Sequence, residues 1–429
     1  MGGALSEAAW DEADLAIRLC RALDLAKRVI TWFASEGYSD PESPANSFQP
    51  EKPLGETAML IYAASGARRL PQIATRIAEV AELLLPHARS AQTLLNMALH
   101  PALCLDFAVP HILLSKLGYT DPRMDDFLRS CFASQARNGR QRPPAGSLEG
   151  RWVESLWTGA EPGPAWYRDL RNSVLNWPLD ILGGFRDEAY AFTHLVMYCT
   201  DFGFRPAFLP RPRAVVLQEA ASLLAKYLDR EDYDLAGEVI MAWPLTGAPW
   251  SPAAAFGFRV LTGVEDHAGV LPGGTTRPDR LHQLEGREKT RYALGTAYHT
   301  GYVMGFLCAA SLREGRAPPA RIAGPRFDEG FLDHVIATLD RDQGHWQPEL
   351  RALNEAERNA LCPLLLDLAI VQRCRKHDYG AVRELLARAH QHGSARSPLC
   401  GQSAELLERL TAYASYSIQD PRSDQRGLN

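Results

Sequence analysis

The residues best suited to chemistry lie in one stretch of the sequence, at positions 187–203. Five polar side chains recur there at intervals of three or four residues: Asp187, Tyr190, His194, Tyr198 and Asp201. In an α-helix this spacing places them along one narrow stripe. A surface helix normally exposes lysine, glutamate and arginine, whereas this stripe carries side chains that donate, accept and titrate. The pattern predicts a helix whose polar stripe faces a partly dry cavity.

The stripe favours acid–base chemistry centred on a histidine. We expect His194 to act as a general acid or base, with Tyr190 and Tyr198 placing hydrogen bonds on a substrate. Asp201, held in a dry site, would have a raised pKa and serve as an acid. His194 lies seven residues from either aspartate, which is about 10 Å of helix, so a carboxylate that orients it must come from another helix. The alternative is a buried hydrogen-bond network in which Asp187 only caps the helix.

A second group of candidates lies on a glycine-rich helix predicted at 285–312. Tyr298 and Tyr302 share one side of this helix, and His299 is adjacent. Glycines in the same helix would let a ligand or another backbone approach closely. We interpret this group as a second wall of the same cavity that contributes a second imidazole. The alternative is a tight helix crossing with an aromatic core.

A carboxylate in an apolar run is the candidate partner for these histidines. Asp106 lies within the apolar run at 105–109, where a buried charge needs a partner. We expect it to orient His194 or His299, and the alternative is an ion pair with an arginine. No cofactor is expected, because the chain has no HExxH or CxxC motif. Zinc is the alternative, with His111, His194, His299 and Asp106 converging from separate helices.

Composition excludes several classes of protein. The 429 residues carry a net charge of −5 and show no basic cluster flanked by aromatics, so nucleic-acid binding is not expected. No uninterrupted apolar run approaches the length of a membrane span, and the start has no signal-peptide pattern. The eight cysteines are scattered, which indicates reduced thiols and a cytoplasmic location. The expected partner is a small-molecule or peptide substrate; the oligomeric state is not determined.

The elements that would position these residues are all helices. Period-two alternation is almost absent, which indicates an all-α chain. Apolar helices at 57–64, 101–117, 187–203 and 292–310 alternate with more charged ones at 69–85, 123–137, 213–227 and 329–339. Inner helices buried on both sides and half-exposed outer helices would show this alternation. We predict a single large domain, an α/α toroid of about six helical hairpins, with an open α-solenoid as the alternative.

The predicted domain organisation has three parts. An N-terminal helix occupies residues 1–38, the toroid occupies 39–416, and residues 417–429 form a polar, flexible tail.

Two segments carry a resemblance to a family. The run Tyr190-Ala191-Phe192-Thr193-His194 is followed by Thr200-Asp201-Phe202-Gly203, and Lys52-Pro53-Leu54-Gly55-Glu56 lies near the N-terminus. The chain resembles uncharacterised all-α proteins of actinobacteria in which a Tyr-x-x-Thr-His segment precedes an Asp-Phe-Gly helix end. The resemblance spans about half of the chain and implies no particular activity. Genes of this family often lie near specialised-metabolite pathways, which favours an enzyme.

The sequence therefore supports two classes of function. The first is a bacterial enzyme whose central cavity performs acid–base chemistry, of cyclase or lyase type, on a small or peptidic specialised metabolite. Its catalytic residues would be His194, Tyr198 and Asp201, and its substrate-binding residues would be Tyr190, Asp106, His299, Tyr298 and Tyr302. The second is an α-solenoid module that binds another protein without catalysis. A zinc-dependent toroid enzyme is a further alternative within the first class.

Overall fold

The computed structural model describes residues 10–40, 42–340 and 344–419. Within these ranges the chain is built from helices, and its β-type pairing is confined to an isolated antiparallel bridge between Tyr38 and Phe48. The prediction of an all-α chain in a single helical domain is confirmed.

The helices follow one another with short connections. In chain order they are α1 (Glu12–Phe33), α2 (Glu51–Ala64), α3 (Pro71–Ala88), α4 (Ala91–Leu99), α5 (Cys104–Lys116), α6 (Pro122–Phe132), α7 (Pro144–Thr158), α8 (Pro164–Arg171), α9 (Arg186–Thr200), α10 (Arg213–Asp229), α11 (Tyr233–Ile240), α12 (Ala242–Thr246), α13 (Pro252–Ala268), α14 (Pro278–Gln283), α15 (Gly286–Ser311), α16 (Glu329–Thr338), α17 (Trp346–Ala352), α18 (Glu355–Ala360), α19 (Cys362–Arg375), α20 (Tyr379–Gln391) and α21 (Pro398–Gln419). Short 3-10 helices lie at Pro44–Asn46, Ser65–Ala67, Pro101–Leu103, Gln135–Gly139 and Val174–Asn176.

Six of these helices form a closed ring. Each inner helix packs against the next in the order α2, α5, α7, α9, α11 and α15, and α15 packs in turn against α2. The chain therefore has the toroidal arrangement expected from the alternation of apolar and charged helices. The open α-solenoid does not describe it, because the first and last inner helices are in contact.

The remaining helices lie outside the ring. Helices α1 and α3 pack against α2, and α1 also covers α15; α10 and α13 cover α11. A further layer begins after α15, in which α19 and α21 pack on α10 and α17 packs on α13. The domain boundaries at residues 38 and 416 stay a prediction. The expected tail at 417–429 lies outside the described residues, apart from the last turn of α21.

Contacts between α9 and α11 show that these two inner helices run in the same direction. Tyr190 of α9 meets Asp234 of α11, and His194, one turn later, meets Glu238, also one turn later. Parallel inner helices bring side chains of equal height in each helix into one layer across the ring.

Glycines of α15 allow this helix to pack closely against α1 and α2. A Cβ atom added at Gly305 would lie 2.6 Å from Ala22 Cβ and 2.8 Å from Leu60 Cδ1, so this face of α15 fits directly against α1 and α2. Gly301 likewise faces Leu25 of α1. The glycines therefore serve helix packing, which was the alternative interpretation, rather than ligand approach.

No single helix of the described residues has the length and hydropathy needed to cross a membrane. The broken pair Ala91–Leu99 and Pro101–Lys116, bent by 114°, meets both criteria only when its two halves are taken together.

Substitution of Gly305 by alanine tests the crossing that closes the ring. We expect Gly305→Ala to lower the free energy of unfolding by about 1–3 kcal/mol, because the added methyl overpacks the contact with Ala22. The matched control is Gly55→Ala in α2, where the added Cβ meets nothing within 4 Å. This control is expected to raise the free energy of unfolding by about 0.5–1 kcal/mol, because alanine has a higher helix propensity than glycine. Urea denaturation of both variants makes the measurement, and equal effects of the same sign would contradict the proposed packing.

A buried carboxyl that joins the C-terminal layer to α10 gives a prediction about pH. Asp367 of α19 accepts hydrogen bonds from Ser222 (2.7 Å) and Ser397 (2.6 Å), and burial raises its pKa to about 6. Between about pH 4 and pH 6 the folded state retains a proton that the unfolded chain has released. Stability therefore falls as the pH rises through this window, by up to about 3 kcal/mol from this group.

The variant Asp367→Asn isolates this contribution. We expect the difference in unfolding free energy between Asp367→Asn and the wild type to shift in favour of the variant as the pH rises from about 4 to about 7. Urea denaturation at several pH values measures this difference. A difference that does not change with pH would show that Asp367 titrates normally.

Candidate active site

Six ionisable side chains converge inside the ring and form what we call the titratable layer. It consists of Glu56 on α2, Glu149 on α7, His194 on α9, Asp234 and Glu238 on α11, and His299 on α15. Five of the six inner helices therefore contribute to it. Helices α2, α11 and α15 are buried over most of their length, whereas α7 buries only Leu148, Trp152, Val153 and Leu156.

His299 lies among three carboxylates. Its Nδ1 atom is 3.3 Å from Glu56 Oε1, and its Nε2 atom is 3.5 Å from Asp234 Oδ1 and 3.7 Å from Glu238 Oε1. The imidazole thus bridges α2 and α11 across the ring. The residue predicted to supply a second imidazole to the cavity does lie beside the first one.

His194 faces the same carboxylate from the other side. Its Nε2 atom lies 3.4 Å from Glu238 Oε1, and 39% of its side-chain surface remains accessible. The rings of Tyr190 and Tyr198 flank it, with centroids 5.8 Å and 6.1 Å away. An imidazole that stays accessible between the inner helices indicates that His194 borders a cavity. The carboxylate that faces it comes from α11, a different helix, as the spacing in α9 requires.

Asp106 does not fill the role expected of it. Both of its carboxylate oxygens accept hydrogen bonds from the guanidinium of Arg142, which lies in the loop before α7. The expectation that Asp106 orients His194 or His299 is therefore corrected: it takes the alternative, an ion pair with an arginine. Its charge still acts on Glu149, so it lies at the margin of the site.

Asp201 also has a different role from the one expected. It accepts hydrogen bonds from Trp152 Nε1 (2.8 Å) and the Tyr62 hydroxyl (3.0 Å), one on each oxygen. The indole of Trp152 stacks on the ring of Tyr198, with centroids 5.0 Å apart. Asp201 therefore positions the wall of the cavity through Trp152, rather than acting as an acid beside His194.

The helix end at Asp201 is a left-handed turn. Asp201 and Phe202 both have φ of 49°, and Gly203 follows with φ of 82°. A left-handed conformation costs a residue other than glycine about 1–2 kcal/mol. Packing of Phe202 against Trp152 and Phe306 holds the turn in place. The Asp-Phe-Gly segment therefore serves to end α9.

The three other tyrosines that were predicted to bind substrate lie around the layer. The Tyr190 hydroxyl donates to Asp234 Oδ2 at 2.6 Å, and the Tyr302 hydroxyl pairs with Thr57 Oγ1 at 2.7 Å. Tyr298 packs between Phe48 and Tyr302. His111 lies elsewhere: its ring is held between Arg89 and Asp125. The zinc constellation of His111 and Asp106 with the two other histidines is therefore not formed.

The surroundings of the four carboxyl groups drive their pKa values apart. Burial raises the pKa of Glu149 and of Asp234 above the ordinary range, even though histidines nearby oppose the shift. Burial has the same tendency at Glu238 and Glu56. There it is outweighed, by both imidazoles at Glu238 and by His299 at Glu56, so that both pKa values lie below the ordinary range.

The imidazoles respond in the opposite sense. Burial alone would lower the pKa of His194, but the charge of Glu238 raises it above its ordinary value. Burial is likewise outweighed at His299, where Asp234, Glu56 and Glu238 raise the pKa well above the ordinary value. The layer thus places carboxyl groups with raised pKa values beside carboxyl groups with lowered ones, which is an arrangement typical of acid–base sites.

Several buried atoms of the layer have no hydrogen-bond partner among the described residues. These atoms are Glu56 Oε2, Asp234 Oδ1, His299 Nδ1 and the hydroxyl oxygen of the adjoining Tyr298. Buried polar atoms are nearly always hydrogen-bonded to protein or to ordered water. Four of the fourteen unpartnered buried atoms of the described residues therefore lie together at the centre of the ring.

One subset of the layer has the composition of a metal site. Asp234, Glu238 and His299 can each offer one ligand atom, and the three atoms lie within 4.8 Å of one another. The sequence contained a signal for two of them, because Asp234 and Glu238 are one helical turn apart in an apolar segment. That signal did not identify them, since an acidic residue in an apolar helix is more often a cap or an ion-pair partner.

Comparison with known proteins gives a family but no activity. A family model described as "Domain of unknown function (DUF6895)" matches residues 19–309, which is more than half of the chain, and the chain therefore belongs to this family. The match runs from α1 to the end of α15 and includes the whole titratable layer, whereas the helices after α15 lie beyond it. No curated protein and no solved structure matches the chain.

Replacement of Asp201 tests its structural role. We expect Asp201→Asn to lower the free energy of unfolding by about 1.5–3 kcal/mol, because a charged acceptor of two hydrogen bonds is lost at a strained turn. The control is Asp187→Asn at the exposed start of the same helix, where only about 0.3–1 kcal/mol of helix-dipole energy is at stake. Urea denaturation provides both values. A catalytic acid would instead lose activity with little change in stability.

Proposed function

We propose that this member of the DUF6895 family is an enzyme that performs acid–base chemistry, of lyase or cyclase type, on a small or peptidic metabolite inside its helical ring. The observation that carries the proposal is the convergence of two imidazoles and four carboxyl groups from five inner helices, around buried polar atoms that have no hydrogen-bond partner in the part of the chain that the structure describes. An arrangement of this kind is costly to fold, and sites of catalysis are where such arrangements concentrate.

We assign the roles of general acid and general base to two different residues of the layer. Glu149, whose pKa is raised by burial, is the candidate general acid, with the Tyr198 hydroxyl beside it. The accessible imidazole of His194 is the candidate base. In a lyase reaction the base removes a proton from carbon, a carbon–heteroatom bond breaks, and the acid protonates the leaving group. A cyclase reaction runs the same steps in reverse, with an internal nucleophile adding to a double bond.

The closed ring supports an enzyme over a protein-interaction module. A solenoid that binds another protein presents a long concave face, whereas the polar groups here point into the centre of a ring whose ends meet. Tyrosine rings on both sides of His194 suit a ligand small enough to enter this centre. The interaction module is therefore retained only as an outcome of the test.

We also propose that the protein is located in the cytoplasm. The eight cysteines all lie within the described ranges and form no disulfide, and all but Cys374 are buried. Reduced, buried thiols agree with a reducing compartment.

Two variants with neutral replacements test the chemistry. Wild-type protein is incubated with metabolite and peptide mixtures, and conversions are found by mass spectrometry. We expect Glu149→Gln and His194→Gln each to slow the conversion by about 10²–10⁴-fold, the range for loss of a general acid or base. His267→Gln, which changes an exposed histidine of α13, is the control and should convert at the wild-type rate. A conversion that survives both variants would place the chemistry elsewhere.

Thermal stability of Glu149→Gln gives a second readout that needs no substrate. Burial of Glu149 disfavours its ionised form, so a neutral glutamine relieves an unfavourable term at neutral pH. We expect the variant to melt at the wild-type temperature or above it, as is common when an active-site group is neutralised. A large loss of stability would instead identify a structural network and favour the module without catalysis.

A further inference from the structure

We propose that Asp234, Glu238 and His299 bind one divalent transition-metal ion at the centre of the ring. The proposal rests on the proposed function for the role of the ion in catalysis, but not for its presence, which can be measured without a substrate. Asp234 and Glu238 lie on one face of α11, one turn apart, and His299 faces them from α15.

The inward atoms of these three residues point to a common place. His299 Nε2 is 3.5 Å from Asp234 Oδ1 and 3.7 Å from Glu238 Oε1, and the three atoms lie within 4.8 Å of one another. Ligand atoms bound at about 2.0–2.2 Å from one ion stand at similar separations from each other. Small side-chain rotations would therefore suffice to seat an ion, without movement of either helix.

The outward atoms of the same residues are already held. The Tyr190 hydroxyl donates to Asp234 Oδ2, and Thr193 Oγ1 donates to Glu238 Oε2. His299 Nδ1 lies 3.3 Å from Glu56 Oε1. Metal-binding histidines usually have their second ring nitrogen beside a carboxylate, and metal-binding carboxylates are hydrogen-bonded in turn. Each of the three residues has such a partner on its outer side.

Burial supplies an independent reason to expect a cation. The side chains of Asp234 and Glu238 are only 6% and 2% exposed, and Asp234 Oδ1 has no hydrogen-bond partner among the described residues. Two carboxylates packed together away from water repel each other and lack solvation. A divalent ion between them would offset both effects and would occupy the unpartnered oxygen.

The chemistry of the ligands selects the class of ion. Two carboxylate oxygens and one imidazole nitrogen suit manganese, iron or zinc, whereas calcium and magnesium prefer oxygen alone and copper(I) prefers sulfur. Three protein ligands leave a coordination position open for water or substrate, as catalytic sites do. His194, 3.4 Å from Glu238 Oε1, borders that open position.

Metal titration of the whole chain tests the proposal. Protein freed of metal with a chelator is titrated separately with Zn²⁺, Mn²⁺ and Co²⁺ by calorimetry, and the absorption spectrum of the Co²⁺ form is recorded. We expect one ion per chain, with affinity reduced more than about 100-fold in Glu238→Gln and His299→Gln and about 10-fold in Glu56→Gln. The control is Asp125→Asn, which alters the histidine–carboxylate pair of His111 and Asp125, a pair that belongs to no three-ligand group among the described residues. This variant should bind like the wild type.

Each result decides the question. A wild-type protein that binds none of the three ions, or ligand variants that bind as tightly as the wild type, would overturn the proposal. If the ligand variants fail to fold, the Co²⁺ spectrum of the wild type decides instead: one equivalent with oxygen and nitrogen ligation supports the site, and an intense sulfur charge-transfer band overturns it. The protein could bind one ion and yet show no substrate conversion that depends on Glu149 and His194. That result would refute the proposed function and would leave the metal site supported.

Discussion

Six ionisable side chains buried in one layer set the condition that the rest of this structure must meet. An isolated charge in a protein interior costs several kcal/mol, so each group needs a partner at its own height in the ring. Parallel inner helices meet this need, because the pairs Tyr190–Asp234 and His194–Glu238 repeat at one-turn intervals on both helices. Closure of the ring through the glycine face of α15 then brings His299 to Glu56.

The hydrogen bonds of the layer leave a clear division between its outer and inner atoms. Tyr190 and Thr193 hold the outer oxygens of Asp234 and Glu238, while the inner oxygen of Asp234 has no hydrogen-bond partner among the described residues. A purely structural network would satisfy its inner atoms first, because unmet hydrogen-bonding capacity in the interior is expensive. This arrangement supports the proposed function, because efficient binding and catalysis require a site whose geometry is fixed before a ligand arrives.

The sequence predicted the architecture better than the roles. Alternation of apolar and charged helices was enough to predict an all-α ring, since burial on two sides leaves a compositional signal in each helix. The stripe on α9 and the group around His299 correctly marked inward faces. Periodicity does not say which helices are neighbours, however, so the expected partner of Asp106 was wrong and the contact of Asp201 with Trp152 was not predicted: Arg142 and Trp152 are distant from them in sequence. Asp234 and Glu238 were missed because an acidic pair in a short apolar helix has the same pattern whether it caps, pairs or binds. Catalysis itself stays a prediction.

The left-handed turn at Asp201 and Phe202 has a consequence for the rest of α9. Successive residues of a helix are rotated by about 100° about its axis, so the direction in which His194 points is set by where the helix is anchored. Asp201 is hydrogen-bonded to Trp152 on the neighbouring helix α7 and to Tyr62 on the more distant inner helix α2, and Phe202 packs between aromatic rings. The turn thus fixes the rotation of α9 about its own axis. Insertion or deletion of a single residue between His194 and Asp201 would swing the imidazole out of the ring while leaving the helix intact.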